Sequence, residues 1–214
     1  MTNMFAQIAA GVGMTVSITG ASLLIGALLG LPLVAARRSA WTPLRTLATA
    51  YIDIVRTIPP ITWLFLIYFG LPQYALRLDS VSASIIGFSM IASAYMAETY
   101  RSGLLSIPQG QWEAATALGM KFLPKTRYII TPQAFKVTLP AIAAYAISLL
   151  KDSALASTIG VHEITYQAGL VSRATHQGLL AFSIAGLLYI AMSIPLALAA
   201  RRVDRVLRQK LEVA

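Results

Sequence analysis

The sequence predicts an all-α fold: one polytopic membrane helix bundle of five transmembrane helices, with residues 1–214 forming a single domain. Three observations carry that expectation. Of the 214 residues, 57% are apolar and only 12% charged, where about 25% charged is usual for a soluble domain. Apolar stretches approaching the ~20 residues of a spanning helix recur along the chain. The basic residues gather in connections on one side, as the positive-inside rule requires. That rule accounts for the net charge of +9 better than nucleic-acid binding does. With no cysteine, disulfides, thiol chemistry and cysteine-ligated metals are excluded. The N-terminus lacks the basic region and cleavage site of a signal peptide, so the first span reads as an uncleaved insertion signal.

Residues 1–8 form a short polar lead. Span one runs from Ala9 to Ala36, with glycines that permit close packing in lipid, and Arg37-Arg38 stop it. Residues 39–57 alternate apolar and polar groups and read as a helix lying at, or entering, the membrane surface. Pro59-Pro60 break the chain. Span two is Ile61–Leu76, ending near Pro72; span three is Val81–Tyr100. Span four begins near Phe135 and passes through Pro140 to about Gly160. Residues 161–177 are polar and read as a surface helix and loop. Span five is Gly178–Ala200, followed by a basic tail.

Residues 107–132 could not sit in a bilayer. Gln111–Leu118 reads as two helical turns with Trp112, Ala115 and Leu118 on one side, and Gly119 suits a left-handed cap. Pro124 suits the first turn of a second short helix, which Pro132 is expected to close. With the N-terminus outside and the C-terminus cytoplasmic, the inner face receives four basic residues before span two, five around this helix–turn–helix and five in the tail (Arg201, Arg202, Arg205, Arg208 and Lys210). The outer face holds only Arg77 and Arg173, with Lys151 in or near span four.

Glu113-Ala114-Ala115, then Gly119, Ile129 and Pro132, resemble the EAA loop of ABC-importer permeases, with Thr131 where that family usually has Leu. Residues 55–72 (VRTIPPITWLFLIYFGLP), 94–115 (AYMAETYRSGLLSIPQGQWEAA) and 148–165 (SLLKDSALASTIGVHEIT) resemble segments of the polar amino-acid permeases, the histidine, glutamine, arginine and cystine importers. The resemblance implies a type I importer permease fold in the bacterial inner membrane. It also implies separate ATPase subunits that use ATP and Mg, a second permease subunit (identical or not), an extracytoplasmic binding protein and an amino-acid substrate. Glu113, Ala114, Ala115, Gly119, Phe122 and Pro132 are then expected to couple to the ATPase, with Phe122 filling an apolar pocket on it.

The chain has no G-x-x-x-x-G-K-[ST] motif with which to cradle nucleotide phosphates, so it is read as no enzyme itself and as binding no cofactor of its own. His162 and His176 lack metal-pair spacing on one helix face and read as solvated loop residues. Charged groups deep in lipid are costly and usually functional. Asp152 lies twelve residues beyond Pro140, about 18 Å along a helix and near the middle of a ~30 Å hydrocarbon layer. Asp152 and Ser153 are therefore candidate path residues for the ammonium and carboxylate of an amino acid, against an internal ion pair at Asp152. Glu98 and Arg101, at i and i+3, read first as a salt bridge and second as a pore carboxylate. Tyr68, Phe69 and Tyr95 are path candidates weighed against interfacial anchors. The alternative function, a secondary ion-coupled transporter of small polar solutes, calls for repeated halves and a coupling-ion site; neither is evident.

Overall fold

The computed structural model describes residues 2–212, with side chains for 3–202 and for Arg205. The side chains of Arg208 and Lys210, counted above in the basic tail, lie outside the described residues. Ten α-helices form the bundle among the described residues, which contain no strand: α1 (Thr2–Ala9), α2 (Val12–Arg37), α3 (Thr42–Thr57), α4 (Pro60–Phe65), α5 (Ser80–Leu105), α6 (Gln109–Ala117), α7 (Phe122–Lys125), α8 (Thr131–Asp152), α9 (Ile164–Thr175) and α10 (Gly178–Glu212).

The centre is the pair α2 and α5, each of 26 residues. Their backbones meet at small residues. A Cβ on Gly26 would lie 2.3 Å from that of Ala92, and one on Gly30 would lie 2.7 Å from that of Met96. Contact advances in the same direction along both helices, so the two run parallel. The Ser22 hydroxyl donates to Ile85 O, and Tyr100 donates to Ala27 O at 3.1 Å. Asp79 starts α5, its carboxylate accepting the Val81 and Ser82 N–H groups at 3.0 Å each.

Two parallel spans require a return crossing between them, and residues 38–79 supply it in two pieces. Arg45 and Thr49 lie beside Arg101 and Leu105, Tyr51 reaches Met90 O and Ser93, and Leu64 and Ile67 meet Gly87. The chain thus climbs α5 from its last turn to Gly87, towards its start. It bends by 103° at Ile58-Pro59, where Pro59 and Pro60 remove two backbone donors. The expected span Ile61–Leu76, set off by the Pro59-Pro60 break, is the second limb of a longer bent crossing. This crossing is the bent pair of α3 with α4, α4 continuing through a π-helical turn (Leu66–Gly70) and a 3₁₀ turn (Leu71–Tyr74). With the four long apolar helices, the bent pair makes up to five crossings.

Three further boundaries differ from expectation. The lead expected over residues 1–8 is helical from Thr2 and runs on to Ala9, with Ile8 fully buried. The 161–177 stretch is more than a surface element, because Ile164, Ala168 and Val171 of α9 are buried against Ile8, Ala181 and Ala185. Span five continues as one helix to Glu212. One end of the bundle is thus closed by α1, α9 and the start of α10, and the other carries α6 and α7.

Candidate functional site

At the α6 end the chain forms an elbow. Gly119 takes φ +72°, a left-handed conformation that side chains resist. The N–H groups of Met120 and Gly119 return to Ala115 O and Thr116 O, at 3.2 and 2.9 Å, which closes α6 as a Schellman cap. Ala115 is buried. Ile107, Ile130 and Ala134 form a small core beneath the elbow, with Leu104, Trp112 and Ile129 packed on it. Polar ties add to this: Lys125 Nζ donates to Thr116 Oγ1 at 2.8 Å, and Gln133 Nε2 donates to Gln111 Oε1 at 3.2 Å. Glu113 is exposed and accepts from Gln109 Nε2 at 2.9 Å, and Ala114 is exposed beside it.

Two expectations for this loop are corrected. Pro132 does not end the second helix. After α7 a π-helical turn (Thr126–Ile130) leads straight into α8, and Pro132 sits in its first turn. Leu118 does not share the buried side with Ala115 but is 79% exposed. Together with Phe122 and Leu123, 72% and 73% exposed, it makes an uncovered apolar tip. Lys121 and Arg127 edge that tip, the latter 5.8 Å from the Tyr128 ring.

A polar line runs along α5 and α8. The Arg56 guanidinium lies 5.0 Å over the Tyr95 ring, and Tyr95 stacks on Tyr145 at 4.9 Å. Asp152 follows two turns along α8, at i+7 and so on the same face. It is partly exposed, and among the described residues it forms no ion pair or hydrogen bond. Ser153 is fully buried, its hydroxyl donating to Leu150 O at 2.7 Å. One turn from Tyr95, Glu98 forms the expected bridge with Arg101, whose Nε donates at 3.0 Å, and also pairs with Arg37 of α2. A cavity of about 250 Å³ lies beside this cluster, lined by Arg56, Tyr95, Glu98, Thr99, Ser102 and Thr138 among others. Tyr68 is half-buried at α4's π-helical turn, edge-on to Phe69 at 4.9 Å, away from this cavity. Sequence reasoning missed Arg56, Tyr145 and the role of Arg37. Only the i, i+7 spacing of Tyr145 and Asp152 offered a signal.

At the opposite end Glu163 is fully buried. It caps α9 by accepting the Tyr166 N–H at 2.7 Å, and it accepts the Tyr189 hydroxyl of α10, which also meets Thr165 Oγ1 at 3.2 Å. Burial pushes the Glu163 carboxyl above its ordinary pKa. The Gly11 backbone presses on that of Glu163, so closely that a Cβ there would come within 2.5 Å.

The family described as "Binding-protein-dependent transport system inner membrane component" matches residues 22–209. The arginine transport system permease protein ArtQ of Bacillus subtilis (strain 168) is 34% identical over 199 residues, covering 92% of this chain and 91% of the relative. The L-cystine transport system permease protein TcyB of the same organism is 34% identical over 196 residues, covering 91% and 84%. A solved chain described as an amino acid ABC transporter with histidines superposes with a TM-score of 0.92 at 32% identity, over 96% of each chain.

Proposed function

The chain belongs to the family of binding-protein-dependent transport system inner membrane components, and from that premise we propose that it carries polar amino acids inward as half the translocation path of an ATP-driven importer. The observation that supports this most is the elbow, an apolar tip left uncovered on a base fixed to α5 and α8. Such an aromatic and aliphatic knob with a basic edge is the form of a binding hot spot, and a cytoplasmic ATPase subunit is its partner in this reading. The Glu113–Pro132 segment then faces the cytoplasm, the N-terminus lies outside, and the C-terminus lies inside with the basic tail. ATP and Mg act on the ATPase, which closes, displaces the tip and rocks the bases of α5 and α8. A second permease subunit, a copy or a similar chain, completes the path. A soluble binding protein delivers the substrate at the α9 end.

Along the path, the Asp152 carboxylate pairs with the substrate ammonium, the stacked Tyr95 and Tyr145 rings give a flat wall, and Arg56 offers a guanidinium to the carboxylate. Glu98, held between two arginines, serves as a fixed counter-charge more than as a ligand. Ser153, its buried hydroxyl committed to Leu150 O, and Tyr68, away from the cavity beside Arg56 and Tyr95, take no direct part in this reading. The alternative of an ion-coupled secondary transporter finds no support among the relatives, which are named as permeases of transport systems.

The test is uptake of labelled polar amino acids into proteoliposomes holding this chain with its ATPase and binding protein. ATP-dependent uptake is expected. Uptake driven by an ion gradient without ATP would count against the reading. Asp152→Asn is expected to lower uptake at least tenfold while the ATPase still co-purifies; unchanged uptake removes Asp152 from the path.

A further inference from the structure

The last turn of α2, the start of α3 and the last turn of α5 border a second, open hollow, of about 440 Å³. It is lined by four arginines (Arg37, Arg38, Arg45 and Arg101) together with Ser39 and Thr49. No carboxylate lines it. Glu98, just behind, pairs with Arg37 and Arg101 and holds them in place, so four guanidiniums face one carboxylate. Arg38 and Arg45 form no ion pair among the described residues; Arg45 reaches only the Thr42 hydroxyl, at 3.4 Å. Ser39 Oγ accepts the Trp41 N–H at 3.1 Å, which leaves its own proton free to donate. Guanidiniums and hydroxyls converging on one hollow are a phosphate-binding donor set.

The surroundings decide which phosphate. Leu105, which lines the hollow, and Trp41, whose N–H is held by Ser39 at its edge, are 64% and 65% exposed. The polar hollow is thus bordered by an indole at the α2–α3 corner and by one aliphatic side chain at the last turn of α5. An indole in that position is an interfacial anchor, and basic pockets between spans are a recognised form of lipid headgroup site. A soluble phosphate would have no use for the apolar rim. We infer that this hollow binds the phosphate headgroup of an anionic inner-leaflet lipid, whose acyl chains lie on Trp41 and Leu105. The lipid would brace the corner where α2 hands over to α3. The inference rests on the proposed orientation only in placing the hollow at the inner leaflet.

Native mass spectrometry of the full chain in mild detergent tests it, with phosphatidylglycerol, phosphatidylcholine and inorganic phosphate as probes. One tightly held phosphatidylglycerol is expected, with phosphatidylcholine held far more weakly. Arg38→Gln with Arg45→Gln should weaken phosphatidylglycerol about thirtyfold, at about 1 kcal/mol per arginine near the surface. Arg38→Lys with Arg45→Lys keeps the charge, should retain binding within severalfold, and shows that the corner folds. Equal retention of phosphatidylglycerol by the Gln pair overturns the inference. So does inorganic phosphate binding as tightly as the lipid, which would make the ligand a soluble one. Loss of the lipid when the ATPase assembles also overturns it, since the hollow would then be a protein contact. Because lipid mass is read rather than uptake, a failed transport assay leaves this result standing, and the reverse holds too.

Discussion

The two ends of the bundle are finished in opposite ways. At the α9 end a buried carboxylate, a tyrosine hydroxyl and a helix N-terminus satisfy one another, and Ile8, Ile164 and Val171 are packed out of solvent. At the α6 end the polar ties are internal and local, while Leu118, Phe122 and Leu123 point outward. Removing apolar surface from water stabilises roughly in proportion to its area. The α9 end has already drawn that stabilisation from its own chain, and the elbow holds it in reserve for a partner. A substitution should therefore act on stability at one end and on coupling at the other.

The largest expected effect breaks the closed end. Glu163→Ala strips the acceptor from Tyr189 and from the Tyr166 N–H, and should cost about 3 kcal/mol. The expected readout is a clear drop in melting temperature in detergent. Unchanged melting would mean that the network does not hold α9 to α10. Next, Phe122→Asp should leave melting alone and remove about 2 kcal/mol of partner contact, seen as a loss of ATPase stimulation in reconstituted complexes. Stimulation at the wild-type level would show that the tip is not the contact. The smallest effect sharpens the contrast within the elbow. Gly119→Ala forces a Cβ into a left-handed turn at a cost of about 1 kcal/mol. It should lower stimulation severalfold with little change in melting, and equal losses of both would mean that the elbow and bundle unfold together.

Legibility followed the range of the interactions. The elbow was readable because its signals are local: Pro108 before α6, Gly119 after it, and Pro124 in the turn beyond. Pro132 misled for the same reason. A proline suits the residue just past one helix as well as the first turn of the next, and neighbouring residues alone do not separate the two. The salt bridge of Glu98 with Arg101 was visible at i, i+3, whereas its partner Arg37, 61 residues away, was not. The Glu163–Tyr189 pair joins residues 26 apart, so a stretch that looked polar and superficial became part of a core. At Asp152 a count of helical rise was enough to mark a carboxylate that pairs with no group among the described residues, but the inward turn of its neighbour Ser153 to Leu150 O had no local signal. The double proline announced a break, yet the 103° by which the chain turns there depends on packing against α5 that no local residue pattern encodes.

The glycine contacts between α2 and α5 carry a mechanical consequence. Backbones interlocked through Gly26 and Gly30 cannot slide past each other without steric collision, so the two helices should travel as a single rod. Slack must then sit elsewhere, and the proline corner between α3 and α4 is the natural hinge. A mutation that stiffens that corner should slow the transport cycle even though it touches neither cargo nor fuel.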